Sequence, residues 1–264
     1  MGTAQSLTLT TSDGVRLSAQ HWDCGVRDLG CVVAHGFTGA STTAHLQAIC
    51  RELSRRGAGV LAPDLRGHGR SGGLSTAGDA EIHDVAAAVA WLRGRGYHRV
   101  AVLGWSMGAS VVLRYAGLGG DADAVVSVSS PGEWFERGTR AMRLVHWMFE
   151  TRSGRITSRV VRHTRLSSAG WPDVPAAPAE VAGLIAPTPL LIVHGDADHY
   201  LPLRHVELLA AAAPTATVWV EPGMGHAETA TTPELLARIA AWLREQTQPR
   251  AVGVTEVCDD GRRD

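Results

Sequence analysis

One serine, two aspartates and one histidine in this chain have the types and surroundings for nucleophilic chemistry. Ser106 stands in Gly104-Trp105-Ser106-Met107-Gly108, a G-x-S-x-G pentapeptide. The apolar run RVAVLG leads into it and an apolar stretch with helical spacing leads out, so the serine falls between a strand and a helix. A strand-to-helix turn that tight leaves no room for side chains two residues either side of the serine, and glycine at 104 and 108 answers that. The serine Oγ is then exposed at a helix N-terminus, where free N–H groups and the helix dipole favour negative charge. The competing reading is a glycine-rich turn that happens to hold a serine.

A hydroxyl becomes a strong nucleophile beside a base that is itself oriented by a third group. Asp196 and Asp198 follow the apolar run PLLIVHG, and His226 sits between WVEPG and a further helix, in a glycine-flanked loop. Serine, aspartate and histidine thus each follow a separate strand-like run, which brings them to one edge of a sheet despite their distance in sequence. The chemistry of such a set is acyl transfer. Spacing alone leaves both aspartates open as the acid.

The elements that must position these groups read as alternating strands and helices. SLTLT and VRLSAQHW form two half-exposed strands joined at SDG, a hairpin turn. GCVVAH, AGVLAPD, RVAVLG, AVVSVS, PLLIVHG and ATVWVEPG follow as strands, with helical segments between most of them. That order predicts a mostly parallel eight-stranded sheet flanked by helices. The alternation breaks after the sixth strand. Residues 131–186 hold no clear strand, but EWFERGTRAMRLVHWMFE and SGRITSRVVRHTR read as helices of a short cap inserted into a core of residues 1–130 and 187–246. Residues 247–264 read as a polar, flexible tail.

Taken together, HGFTG (35–39), DLRGHGRSGG (64–73), GWSMGA (104–109), HGDADHYLP (194–202) and GMGHAE (223–228) resemble the motifs of the α/β-hydrolase superfamily, in family order. The likeness runs from about Ser12 to Glu245 and is nearest to small serine carboxylesterases and monoacylglycerol-lipase-like hydrolases. It implies an α/β-hydrolase fold with Ser106, Asp198 and His226 as catalytic triad, selecting Asp198 over Asp196. It also implies an oxyanion hole from the backbone N–H groups of Phe37 and Met107. No cofactor and no metal is implied. His35 and His68, inside the first two motifs, are expected to shape loops.

Other residues bear on the substrate. Trp105, Trp134 and Trp147 are candidate substrate-binding residues, and the helix carrying MRLVHWMF is expected to roof an apolar acyl-binding cleft. Arg152, Arg155, Arg159 and Arg162 recur at helical spacing opposite Ile156 and Val160. The stripe reads either as a solvated face or as a docking surface for an acyl carrier or another anionic partner. Glu81 and Asp84 read as a solvated helix face.

The composition narrows the classes. A chain of 264 residues with formal net charge −1 suits one large α/β domain and gives no electrostatic case for nucleic acid. Four scattered cysteines form no metal or disulfide framework. No apolar stretch reaches the ~18 residues of a membrane span, and the opening MGTAQSLTLTTSDG lacks the pattern of a secretory signal, so the expected location is cytoplasmic. Gly2 with Ser6 matches the loose N-myristoylation pattern, which is short enough to arise by chance. The leading expectation is a serine hydrolase acting on a small-molecule ester of small to medium acyl chain. A thioesterase acting on carrier- or CoA-bound acyl groups is the alternative, and a non-catalytic ligand-binding protein on the same scaffold is the alternative of a different class.

Overall fold

The computed structural model describes residues 4–247 except residue 172. The myristoylation pattern at Gly2 and the tail beyond Thr247 therefore lie outside the described residues. Eight strands form one sheet: β1 (Gln5–Thr10), β2 (Arg16–Trp22), β3 (Leu29–Ala34), β4 (Gly59–Pro63), β5 (Arg99–Trp105), β6 (Ala124–Val128), β7 (Leu190–Gly195) and β8 (Thr217–Glu221). Their order across the sheet is β1-β2-β4-β3-β5-β6-β7-β8, with β2 antiparallel to both its neighbours, β1 and β4, and every other pair parallel. Every residue of β4, β6 and β7 is buried, as continuous apolar runs covered on both faces require.

Helices cover both faces. On one side α2 (Ile82–Gly94), α3 (Met107–Gly117) and α7 (Arg204–Ala212) pack on a core that includes Val32, Val102, Val111 and Leu209. On the other, α1 (Ala44–Arg55) and α9 (Pro233–Thr247) pack on Val33, Leu103, Trp105 and Val193. Alternate residues of β5 thus feed opposite cores, Val100 and Val102 one and Ala101, Leu103 and Trp105 the other. No helix among the described residues is long and apolar enough to cross a membrane.

The sharpest local demand is at the β5–α3 turn. Ser106 has φ 52 and ψ −117, a conformation L residues adopt only under constraint. A Cβ on Gly104 would sit 2.2 Å from the Gly108 carbonyl oxygen, and one on Gly108 would sit 2.3 Å from that of Ala34. Backbone closes on backbone there, so neither position admits any other residue without moving the chain.

The segment after β6 carries α4 (Arg140–Glu150), α5 (Arg152–Val161) and α6 (Pro178–Ala182). The first cap helix begins at Arg140 rather than Glu133, because Thr139 caps it by accepting from the Met142 amide. Val181, Ala182 and Ile185 are buried against the core, so the part projecting over the strand ends is residues 131–177. Its return stretch is pinned by backbone hydrogen bonds from Ser75 to Arg165 and from Ser167 to Ser75. The apolar side of α5 faces outward, with Ile156 56% and Val160 67% exposed.

Glu81 and Asp84 correct the sequence expectation of a solvated face, since both are fully buried. Glu81 accepts from the Ser75 and Thr76 hydroxyls and from the Thr76 and Gly78 amides, fixing the loop before α2. Asp84 pairs with Arg66, which reaches it from the loop after β4. Partners distant in sequence, rather than solvent, satisfy these charges.

Two outcomes are expected. Gly104→Ala should cost about 3 kcal/mol or more by overpacking, whereas Gly94→Ala, at a helical position where a Cβ meets nothing within 4 Å, should stabilise by about 0.5–1 kcal/mol; denaturant melts of the two variants check this. Burial also depresses the fully buried His68 to about 3. Between that value and the ordinary one of about 6.5 the unfolded chain binds the extra proton. Stability should therefore fall as pH drops from 6.5 towards 3, seen as a declining melting temperature.

Candidate active site

Three loops at the carboxyl edge of the sheet bring the candidate residues together. Ser106 leaves β5 at the constrained turn, its amide held by the Val128 carbonyl at 2.9 Å. Asp198 follows β7 in a turn whose amides it organises: one carboxylate oxygen accepts from Tyr200 N at 2.8 Å and Leu201 N at 3.1 Å. His226 follows β8. Its Nδ1 lies 2.7 Å from the other Asp198 oxygen and its Nε2 lies 2.8 Å from Ser106 Oγ. The arrangement is a continuous hydrogen-bonded relay of carboxylate, imidazole and hydroxyl.

Its electrostatics suit proton transfer. The Asp198 side chain is fully buried. Burial alone pushes its carboxyl up, but the hydrogen bond and charge of His226 and the two amides outweigh that and hold it below the ordinary value. It therefore stays ionised and can hold Nδ1 protonated, leaving Nε2 to accept from the serine. Asp196 serves elsewhere, accepting from the Gly223 amide at 2.6 Å across the neighbouring loop. His194 donates from Nε2 to the Leu201 carbonyl at 2.9 Å and is held neutral by burial.

Met107 is the first residue of α3, so its amide has no acceptor within the helix. The Phe37 amide makes no hydrogen bond among the described residues. The loop bearing it is braced by His35, whose Nδ1 donates to the Gly36 carbonyl at 2.8 Å while Nε2 accepts from the Leu65 amide at 3.0 Å. His68 packs edge-on against His35. Both histidines thus act on loop shape.

Ser106 and His226 open on a cleft of about 560 Å³ between the sheet edge and the cap. Its walls are largely apolar, with Phe37, Met142, Leu144, Met148 and Phe149 among them. Of the three tryptophans expected to meet substrate, only Trp134 lines the cleft, locked by its indole N–H on the Pro175 carbonyl and by packing on Trp171. Trp105 corrects that expectation. As the last residue of β5 it points into the core beneath α1 and α9, fully buried, with Nε1 donating to Thr231 at 2.9 Å. Trp147 also stays out of the lining, because it shares the outer side of α4 with Arg143, four residues earlier.

Arg155, half-buried in α5, and Arg162, the exposed residue just past its end, line the cleft, while Arg152 and Arg159 are exposed and stay out of its lining. Sequence reasoning missed Tyr200, stacked on the His226 ring at 4.3 Å, and Glu228, whose carboxylate accepts from the Gly36 amide at 2.6 Å. Both sit within quoted motifs, two residues after the candidate acid and base. Among the described residues no group of three or more His, Cys, Asp or Glu is placed to hold a metal ion.

Comparison with known proteins agrees with this architecture. A family model described as the alpha/beta hydrolase fold matches residues 32–159. The uncharacterized protein YfhR of Escherichia coli (strain K12) is 26% identical over 224 residues, covering 80% of this chain and 68% of that protein. The Pyrococcus furiosus esterase Pf2001 superposes with a TM-score of 0.73 at 26% identity, covering 94% of this chain and 92% of that one. XC6422 from Xanthomonas campestris, described as an α/β serine hydrolase without a lid, superposes with a TM-score of 0.60 at 20% identity over 92% of this chain and 93% of that one. With sheet order, turn geometry and the family-model match in agreement, the chain has the α/β-hydrolase fold.

Proposed function

We propose that this protein is a serine hydrolase that cleaves carboxylic esters of small to medium acyl chains by way of an acyl-enzyme. The observation that carries this reading is the relay from Asp198 through His226 to Ser106 Oγ, opening on an apolar cleft. The structural likeness to a protein described as an esterase supports it.

In this mechanism His226 Nε2 takes the Ser106 proton as Oγ attacks the acyl carbonyl. The amides of Phe37 and Met107 receive the developing oxyanion, each such donor contributing ~10²–10³-fold in rate. His226 then protonates the leaving alcohol, and the acyl group remains on Ser106. A water deprotonated by His226 attacks the acyl-serine and releases the acid. Asp198 stays ionised throughout and stabilises the imidazolium. These steps need no cofactor.

A thioesterase reading has one observation in its favour. Arg155 and Arg162 face the cleft and pair with no carboxylate among the described residues, as an anionic carrier or CoA moiety would require. Oxygen esters and thioesters pass through the same acyl-enzyme, so the leaving group decides between them.

The test is a series of p-nitrophenyl esters, acetyl to palmitoyl, beside matched acyl thioesters. Oxygen esters should be turned over with an optimum at short to medium chains. Ser106→Ala should lower kcat by about 10⁵–10⁶-fold, and Asp198→Asn by about 10³–10⁴-fold with little change in KM. Brisk thioester cleavage with weak ester cleavage would transfer the assignment to a thioesterase. Equal rates for wild type and Ser106→Ala would leave the binding-protein alternative.

A further inference from the structure

We infer that Glu228 selects esters carrying a hydrogen-bond donor, a hydroxyl or ammonium group, on a carbon close to the scissile carbonyl; this rests on the ester-hydrolase reading above. Glu228 follows His226 by two residues, in the short helix α8 (Ala227–Ala230), and lines the cleft. The chain turns sharply at Ala227, with φ 52, and the Ala227 amide donates to the Ser129 hydroxyl. That turn aims the carboxylate back at the first glycine of HGFTG, where Oε1 accepts from Gly36 N at 2.6 Å.

The position relative to the nucleophile follows from Gly36. A Cβ there would lie 3.2 Å from both Glu228 carboxylate oxygens and 3.2 Å from Ser106 Cβ. At most twice that distance separates the carboxylate from the nucleophile's own carbon, and Phe37, the proposed oxyanion donor, is the next residue. Among the described residues Glu228 has no Arg or His within ion-pair reach, and Oε2 accepts no hydrogen bond from protein. An unneutralised negative charge therefore borders the place where the substrate carbonyl oxygen becomes negative.

For a plain ester that charge works against the transition state, because it opposes the build-up the two amides stabilise. Anchoring Gly36 does not need a charge, since a neutral carbonyl would accept the same N–H. A carboxylate with one free oxygen facing the cleft is matched by a substrate that brings a donor to it. A hydroxyl or ammonium near the reacting carbonyl converts the opposing charge into a charge-assisted hydrogen bond. A neutral analogue, by contrast, displaces water from the free oxygen of this half-buried carboxylate without replacing its hydrogen bond, which lowers its relative rate.

The test compares ethyl butyrate with ethyl 3-hydroxybutyrate, ethyl 3-aminobutyrate and 2-hydroxyethyl butyrate, using wild type, Glu228→Gln and Glu228→Ala of confirmed melting temperature. Wild type should prefer at least one donor-bearing ester by tenfold or more in kcat/KM, the acyl and alcohol arms showing which side of the bond carries the donor. Glu228→Gln keeps an acceptor for Gly36. It should raise the rate on ethyl butyrate several-fold and erase the preference. Glu228→Ala should erase the preference too, with kcat lowered on every ester by the freed loop. A wild-type enzyme without preference, or Glu228→Gln lowering all four rates alike, overturns the inference while leaving the hydrolase reading intact. If no ester, including the p-nitrophenyl series, is turned over above Ser106→Ala, the ester reading falls and this inference with it.

Discussion

The site depends on one backbone contact, the first turn of α3 pressed against the end of β3. Gly108 lies so close to Ala34 and His35 that a Cβ would stand 2.3 Å from one carbonyl oxygen and 2.6 Å from the other. Every residue of α3 is buried, so the helix cannot shift to relieve the contact. The chain must therefore pass from β5 into α3 through Ser106 at φ 52, a strain of ~1–3 kcal/mol that packing over-determines. The same contact sets the Met107 amide beside the loop that holds Phe37. The proposed nucleophile and the Met107 donor are thus positioned by a single packing event, while side-chain hydrogen bonds from His35 and Glu228 hold the loop that carries Phe37.

The loops around that turn are held differently, by buried carboxylates that gather backbone amides. Asp64 accepts from Ser41 N and Arg70 N, Glu81 from Thr76 N and Gly78 N, and Asp198 from Tyr200 N and Leu201 N. Each closes a loop that would otherwise bury unsatisfied donors. Asp198 differs in offering its second oxygen to His226, so one residue both shapes its loop and orients the proposed base. Glu228 repeats the device across two loops, from the His226 segment to Gly36. The rigid sheet edge and these carboxylate ties leave the cap as the main variable in substrate choice.

Much of this was legible in the chain itself. The succession of strands along the chain and the mostly parallel sheet follow from continuous apolar runs such as PLLIVHG, as a strand covered on both faces requires. The turn at Ser106 was readable because Gly104 and Gly108 answer a steric demand that is local in sequence. Strand alternation also held the signal for Trp105: next to a serine that projects upward, it had to point down into the core. Glu81 and Asp84 misled because their spacing fits a solvated face, while the groups that bury them, Ser75, Thr76 and Arg66, come from outside the helix. Cap geometry was the least legible. The apolar flank of α5 satisfies a periodicity rule, and that rule does not say that Ile156 and Val160 face away from the core.

The central claim is that Ser106 is a nucleophile activated by His226 and Asp198. Its most direct test is labelling of the folded protein with a fluorophosphonate, followed by peptide mass analysis to locate the adduct. The account predicts one adduct, on Ser106, formed quickly in wild type, much more slowly in Asp198→Asn and not at all in Ser106→Ala. Labelling at another residue, or none in a protein that melts cooperatively, would contradict it.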